Sequence, residues 1–191
     1  MNPFPVFERW YKEEQSLTKA RIPAACCLST TGLDGFPNAR FVSLKEVTGD
    51  AFVVTGPYAS RKGQEISKSA KVALAFWWPE TERQVRIQGT AAIIEAHLAH
   101  KYFAERTRDA QLVSLVSKQG NELTDPESLH HLFRLAEIRY TDQAIPMPED
   151  WGGYAIKPLR IEFMEFRLTR FHDRKLYEQA NGTWTLKQIQ P

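Results

Sequence analysis

Ser60-Arg61-Lys62 is the stretch of this chain whose residue types and order most directly imply chemistry. It follows Thr55-Gly56-Pro57-Tyr58-Ala59 and opens a helix, which puts Ser60 at the N-cap and turns free N–H groups and the positive end of the helix dipole outward. Cations in a first helical turn are each disfavoured by roughly 0.3–1 kcal/mol relative to acidic residues, so Arg61 and Lys62 call for an anion. A phosphate monoester suits them, because it takes backbone N–H bonds, a bidentate guanidinium and a point-charge ammonium together. A solvated basic helix start is the alternative.

Two other groupings carry charge at a regular spacing. On a strand from Arg170 to Glu178, period-2 geometry places Arg170, His172 and Arg174 on one face, either beneath an anion or electron-rich ring or as a charged edge that keeps the strand soluble. On a helix from Ala96 to Arg106, Tyr102 and Arg106 stand at i, i+4 and form either a second phosphate grip or an ordinary surface pair. Gln84 and Gln119 are candidates for contacting the edge of a heteroaromatic ring. His97, His100, His130 and His131 have no third ligand at a zinc-site spacing, so no metal site is expected. The chain has no Walker A sequence, no Gly-rich dinucleotide fingerprint and no nucleophile elbow.

These residues need a scaffold, and the chain's patterning supplies one. With 191 residues, 42% hydrophobic and 25% charged, it has the make-up of one soluble domain spanning 1–191 with its own core. A formal net charge of +2 and scattered basic residues argue against a nucleic-acid partner. No apolar run has the length of a signal peptide or membrane span, so a cytoplasmic protein without membrane association is expected. Adjacent Cys26 and Cys27 point to opposite faces of a strand and read as reduced packing residues.

Phe4, Phe7, Trp10 and Tyr11 recur at helical spacing, so Pro5–Leu17 is expected as an amphipathic lid helix. Strands are expected at Ala24–Thr31, Pro37–Lys45, Ala51–Val54, Val72–Trp78 and Arg83–Glu95, with a helix over Arg61–Ser67. The unbroken apolar run Val72–Trp78 suggests burial on both faces. Helices over Ala96–Arg106, Gln111–Val116 and Pro126–Tyr140 would pack outside the sheet. Trp151-Gly152-Gly153-Tyr154 would turn the chain into a strand at Ala155–Phe166. A last hairpin would join Arg170–Glu178 to Thr183–Ile189 across Asn181-Gly182. Many sequence-adjacent strands with few intervening helices favour a mainly β fold with flanking helices, an antiparallel barrel, over a doubly wound parallel sheet. Trp77, Trp78 and Trp151 supply more aromatic surface than one small core holds, which points to a partner chain.

Taken in order, these segments resemble the pyridoxine (pyridoxamine) 5'-phosphate oxidase family of flavin mononucleotide (FMN) enzymes. The resemblance runs from Phe7-Glu8-Arg9-Trp10 through Ser60-Arg61-Lys62, Glu82-Arg83-Gln84-Val85, Lys101-Tyr102-Phe103, Val116-Ser117-Lys118-Gln119, Trp151-Gly152-Gly153-Tyr154 and Phe171-His172-Asp173-Arg174 to Pro191. It implies a split β-barrel homodimer with FMN in two clefts between the subunits. By position, FMN binding would fall on Arg40, Phe41, Val42, Ser43, Leu44 and Lys45, on Val54 and Thr55, on Arg61 and Lys62 at the phosphate, and on Gln84, Gln119, Gly120, Met164 and Arg174. Substrate phosphate would be held by Lys45, Tyr102, Arg106 and the position of Ala110, with Arg170 and His172 over the substrate ring as catalytic candidates.

The resemblance also implies the reaction. Pyridoxamine or pyridoxine 5'-phosphate, a vitamin B6 vitamer, would pass a hydride from its C4' carbon to the flavin and leave as pyridoxal 5'-phosphate, and dioxygen would reoxidise the flavin to give hydrogen peroxide. Three departures bear on the substrate. Met164 replaces the family's usual tryptophan beside the flavin, Ala110 replaces a serine that helps to hold the substrate phosphate, and Gly120 replaces the serine usual after Gln119. The turn between Thr55 and Ser60 is also one residue longer than is typical. A same-fold flavin oxidoreductase with another substrate, such as those of phenazine biosynthesis, and a flavin- or vitamer-binding protein without turnover are the alternatives.

Overall fold

Along Arg83–Ile93 the apolar residues Val85, Ile87 and Ala91 alternate with Arg86, Gln88 and Thr90, and a strand sends the two sets to opposite faces. The first set is buried and the second exposed. A computed structural model of the chain describes residues 1–191. Its elements are α1 (Phe4–Leu17), β1 (Ala25–Thr31), β2 (Pro37–Val47), β3 (Phe52–Pro57), α2 (Arg61–Lys68), β4 (Lys71–Trp78), β5 (Arg83–Ile93), α3 (Ala96–Ala104), α4 (Arg108–Val116), α5 (Pro126–Arg139), β6 (Trp151–Glu165), β7 (Asp173–Ala180) and β8 (Thr183–Ile189).

The strands form one antiparallel sheet in the order β3-β2-β1-β4-β5-β6-β7-β8, and β6 also pairs with β3. That second pairing closes six strands into a barrel and leaves β7 and β8 as an extension beyond β6. Closure depends on the length of β6. Its 15 residues pair with β3 through Trp151–Ile156, with β5 along most of the strand and with β7 through Arg160–Glu165.

Inside the barrel, 21 buried apolar residues form one cluster that includes Phe52, Leu74, Phe76, Ile87 and Ile161. Helix α1 reaches into it. Phe7 is fully buried, with its ring centroid 4.8 Å from Phe52, 5.2 Å from Phe76 and 5.5 Å from Trp78. At the helix's other end the buried Glu14 carboxylate accepts the Thr81 N–H at 3.0 Å and the Thr81 hydroxyl at 2.9 Å, which ties α1 to the β4–β5 turn. A separate cluster of nine residues, among them Val53, Ile94, Tyr102, Phe103, Leu112 and Trp151, packs α3 to α5 against the outside of the barrel.

Four expectations change. Strand β4 is buried on one face only, with Ala75 exposed and Trp77 55% exposed, because no helix of this chain covers its outer side. Trp78 and Trp151 each find a different core, so of these three tryptophans only Trp77 remains exposed. Helix α3 stops at Ala104 rather than Arg106, since Thr107 caps the following helix by accepting the Ala110 N–H. Strand β6 begins at Trp151, not Ala155. Gly152 and Gly153 lie within it because the Tyr58 hydroxyl occupies the space, 2.0 Å away, that a Cβ at Gly152 would need. No helix is long and apolar enough to cross a membrane.

Phe7→Ala should lower stability by about 3–5 kcal/mol, the range for emptying a buried phenylalanine site. Urea unfolding monitored by tryptophan fluorescence will show it, and a loss under about 1 kcal/mol would mean that α1 is not part of the barrel core.

Candidate functional site

The site grows from a buried carboxylate on α2. Glu65 is fully buried and accepts hydrogen bonds from Thr30 Oγ1 (2.6 Å), Asn38 Nδ2 (2.9 Å), Arg40 Nη2 (2.7 Å) and Arg61 Nε (2.8 Å). Burial by itself raises its pKa, but the bonds from Thr30, Asn38, Arg61 and Arg40 outweigh burial and bring it down to about 2. Arg40 also donates to the Leu28 carbonyl at 3.2 Å, and Arg61 approaches Asp34 at 3.6 Å. The anion called for by a basic first turn is therefore supplied in part from within the chain.

The rest of that turn stays open. Ser60 occupies the N-cap, but its hydroxyl turns back to donate to the Pro57 carbonyl at 2.6 Å and caps no helix N–H. The N–H groups of Arg61, Lys62 and Gly63 meet no acceptor, and the first helical bond runs from the Gln64 N–H to the Ser60 carbonyl. Buried Lys62 donates from Nζ to Ser60 Oγ at 2.9 Å and to Gln119 Oε1 at 2.8 Å. Burial first and the nearby Arg40 charge second lower its pKa to about 8. Gly56, at a φ of +154°, leaves the room this ammonium needs, since a Cβ there would lie 2.9 Å from Nζ. Three unpaired N–H groups beside a buried cation make a cradle for an anion.

This cradle opens into a cleft of about 360 Å³ lined by Phe41, Val42, Ser43, Thr55, Lys62, Gln119, Arg106, Ser114, Ser117 and Trp151 among others. An adjoining recess of about 180 Å³ adds Arg40, Ser60, Arg61 and Gly120. Leu44 and Val54, expected at the same site, instead turn their side chains into the barrel core. Lys45 is redirected by a register shift between Leu44 and Glu46, where it is the extra residue of a β-bulge. Its Nζ pairs with Glu105 at 2.6 Å and lies 5.4 Å from the centre of the Tyr102 ring. Tyr102 is buried and its hydroxyl donates to Glu46, so burial first and that bond second raise its pKa to about 12.

Tyr102 and Arg106 are not stacked on one helix, because α3 has ended before Arg106. Of the two, only Arg106 lines the cleft; Tyr102 is buried under Lys45. Arg106 Nη2 donates to the Ala110 carbonyl at 3.0 Å and to Ser114 Oγ at 3.3 Å, its Nε has no partner, and the guanidinium lies 5.3 Å from the centre of the Trp151 ring. Ala110 thus contributes a carbonyl where a hydroxyl was expected from the resemblance.

The remaining expected residues form a second group elsewhere. Gln84, Met164 and Arg174 are cross-strand neighbours on β5, β6 and β7, with Gln84 Nε2 4.0 Å from Met164 Sδ. Arg174 donates twice to the buried Glu162, at 2.9 and 2.8 Å, and once to the Gln190 carbonyl at 3.1 Å. Arg170 and His172 are not on the face of a strand with Arg174. Strand β7 begins only at Asp173, and Arg170 sits in the preceding turn at a φ of +66°, which breaks the period-2 pattern. His172 Nδ1 accepts the Arg167 N–H at 3.0 Å, and its ring packs 4.9 Å from Phe166.

Strands β2 and β5 are three steps apart in the sheet, roughly 14 Å at ordinary strand spacing, so one chain keeps the two groups apart. Between them runs a groove of about 380 Å³ lined by Ile22, Cys27, Phe41, Ala75, Trp77 and Gln84 among others. Glu65, Glu162, Glu105 and Ser114 were not singled out from the sequence. Glu65 alone carried a signal there, its i+4 spacing from Arg61.

The family profile described as "Pyridoxamine 5'-phosphate oxidase" matches residues 14–140, and the one described as "Pyridoxine 5'-phosphate oxidase C-terminal dimerisation region" matches residues 151–191. Among solved structures, PhzG from Burkholderia lata 383, in complex with tetrahydrophenazine-1-carboxylic acid, has a TM-score of 0.94 at 27% identity, covering 100% of this chain and 93% of that one. A pyridoxamine 5'-phosphate oxidase-related, FMN binding protein from Nostoc punctiforme has the same fold, with a TM-score of 0.80 at 16% identity, covering 100% and 98%. The class is thus that of the antiparallel split-barrel proteins. Curated relatives narrow it further. A pyridoxine/pyridoxamine 5'-phosphate oxidase of Leptospira biflexa is 37% identical over 190 residues, and one of Cyanothece sp. is 38% identical over 192, each covering 100% of this chain and 89% of the relative. The chain belongs to the pyridoxine/pyridoxamine 5'-phosphate oxidase family.

The Glu65 network sets an acid limit on the fold. Its folded pKa of about 2 lies below the ordinary carboxylate value of 4.5, so its contribution to stability is fully present above pH 4.5 and is lost as pH falls towards 2. Urea midpoints measured between those limits should fall steadily in the wild type and more shallowly in Glu65→Gln. Parallel slopes would show that folding does not lower the Glu65 pKa.

Proposed function

We propose that this protein oxidises pyridoxamine or pyridoxine 5'-phosphate to pyridoxal 5'-phosphate, with FMN as its cofactor and as a homodimer. The observation that carries the reading is the cradle at the start of α2, where three unpaired N–H groups and the buried Lys62 ammonium lie beside a cleft of about 360 Å³ and Arg61 lines the adjoining recess. These donors fit the phosphate of FMN. Bound there, the flavin would supply a two-electron acceptor for a hydride from the substrate's C4' carbon, with dioxygen as the final acceptor.

The chain's own residues have distinct tasks in this reading. Arg61, Lys62 and the first-turn N–H groups hold the cofactor phosphate, and Gln119 fixes the Lys62 ammonium. Lys45, Tyr102 and Arg106 hold the substrate phosphate, Lys45 exchanging its Glu105 partner for the incoming anion. His172 accepts a backbone N–H at Nδ1, so its neutral form carries the proton at Nε2 and presents a donor. It therefore orients the substrate ring by donating a hydrogen bond. Arg170 stands beside it, outside the regular strand.

A second chain completes the site. The groove between the two residue groups exposes Phe41 at 80% and Trp77 at 55%, and residues 151–191 match the family's C-terminal dimerisation region. A partner laid on that groove would bring its Gln84, Met164 and Arg174 against this chain's cradle. After subunit exchange, Lys62→Ala and Arg174→Ala chains, each poorly active alone, should together recover about a quarter of the wild-type activity per chain, since half the dimers then carry one intact site. No recovery would place both residues in one chain's site.

A second reading keeps the fold and changes the substrate. PhzG, seen with a tricyclic carboxylic acid, is the structural neighbour at a TM-score of 0.94, and Ala110 removes a hydroxyl that a phosphate ester would use. Oxygen consumption by the purified protein separates the readings. Pyridoxine 5'-phosphate and pyridoxamine 5'-phosphate should be turned over far better than their unphosphorylated forms. Arg106→Ala should cost about 1.5–3 kcal/mol in kcat/KM for the phosphorylated forms, roughly 10- to 150-fold. A yellow protein that consumes oxygen only with dihydrophenazine carboxylic acids would overturn the proposal.

A further inference from the structure

Ala110 and Ser114 are one turn apart on α4, and side chains at that spacing share a helix face. Ser114 lines the cleft together with Arg106 and Ser117. Its hydroxyl donates to the Ala110 carbonyl at 2.9 Å and accepts from Arg106 Nη2 at 3.3 Å, while the same nitrogen donates to the Ala110 carbonyl at 3.0 Å. A serine bonded only to the carbonyl four residues back is an ordinary feature of helices. Ser114 differs in two respects. One of its lone pairs is taken by the guanidinium, and it stands on the wall of the cleft.

We propose that Ser114 supplies the hydroxyl contact to the substrate's phosphate and positions Arg106 for the same anion, so that the contact missing at Ala110 is made one turn further along α4. The inference rests on the reading of this cleft as a phosphate-ester site. A hydroxyl has one donor and two acceptor positions, and its proton rotates freely about the Cβ–Oγ bond. When the anion arrives, the O–H swings from the Ala110 carbonyl to a phosphate oxygen, and Arg106 Nη2 still satisfies that carbonyl. No backbone group is left without a partner, so the exchange carries little penalty. The Arg106 guanidinium already lies over the Trp151 ring, 5.3 Å from its centre. The hydroxyl sits about 6 Å further along the helix than the position of Ala110, which moves the anion towards Ser117 and Gln119.

Equilibrium dialysis with 4-deoxypyridoxine 5'-phosphate and 4-deoxypyridoxine tests this, because neither compound has the C4' hydroxyl that is oxidised. The holoprotein should bind the phosphorylated compound more tightly. Ser114→Ala should reduce that discrimination about three- to tenfold, the net of exchanging the Ala110 carbonyl bond for one to the anion, without changing affinity for the unphosphorylated compound. The double variant Ser114→Ala/Ala110→Ser should recover most of the loss, because it returns a hydroxyl to the same helix face. If Ser114→Ala lowers the melting temperature but leaves discrimination intact, the hydroxyl is only a helix back-bond and the assignment of Ser114 fails alone. If the wild type itself shows no preference for the phosphorylated compound, the phosphate-ester reading of the cleft fails and takes this inference with it.

Discussion

The Glu65 carboxylate is the constraint on which the rest of this site depends. It is fully buried, yet it stays ionised because four donors from β1, β2 and α2 satisfy its oxygens. Arg40 and Arg61 would otherwise repel each other and Lys62 at the mouth of one helix. Glu65 holds two of those three cations in fixed directions and leaves the third, Lys62, to face the cleft. The same bonds anchor α2 to the barrel, so the angle at which its N-terminus meets the cleft is set by a charge network as well as by apolar contact through Ile66.

Barrel closure decides what a single chain can build. The β3–β6 pairing brings Trp151 and the helical layer to the cradle, while the β7–β8 extension carries Arg174 and His172 to the far side of the outer sheet face. Glu162 does there what Glu65 does at the cradle. It is buried, takes two bonds from Arg174 and lies 3.6 Å from Arg86. In each of the two residue groups, arginines are therefore bonded to a buried carboxylate within the one chain.

The parts of the fold that follow from local pattern were legible in the sequence. Alternation along Arg83–Ile93, the proline-led amphipathic helix and the Asn181-Gly182 hairpin appear as expected. So does the basic helix start at Arg61, because a helix N-terminus is written in consecutive residues. What failed depended on contacts distant in sequence. The apolar run Val72–Trp78 has the composition of a strand buried on both faces, but composition does not say that this chain lacks an element to cover Trp77. Gly152-Gly153 has the look of a turn, and only the Tyr58 hydroxyl, 95 residues away in the chain, explains why glycine is needed inside a strand. Arg170 and His172 were placed by starting the strand period three residues ahead of its real start. A left-handed residue in that turn is not visible in the pattern of charges.

The two cationic groups, at the cradle and around Lys45, are built on opposite electrostatic principles. At the cradle, three N–H groups are unpaired and Lys62 is buried among neutral partners, with a pKa already lowered to about 8, so an arriving dianion removes a standing cost as well as gaining bonds. Around Lys45, the ammonium is matched by Glu105 and the Tyr102 hydroxyl by Glu46, so an anion arriving there would have to displace a partner before it gained one. The first arrangement favours tight, lasting occupancy and the second a weak, exchangeable hold. A resident cofactor needs the former. A substrate that has to leave after each turnover is better served by the latter, because uniform tight binding of its remote phosphate would lower KM without raising kcat.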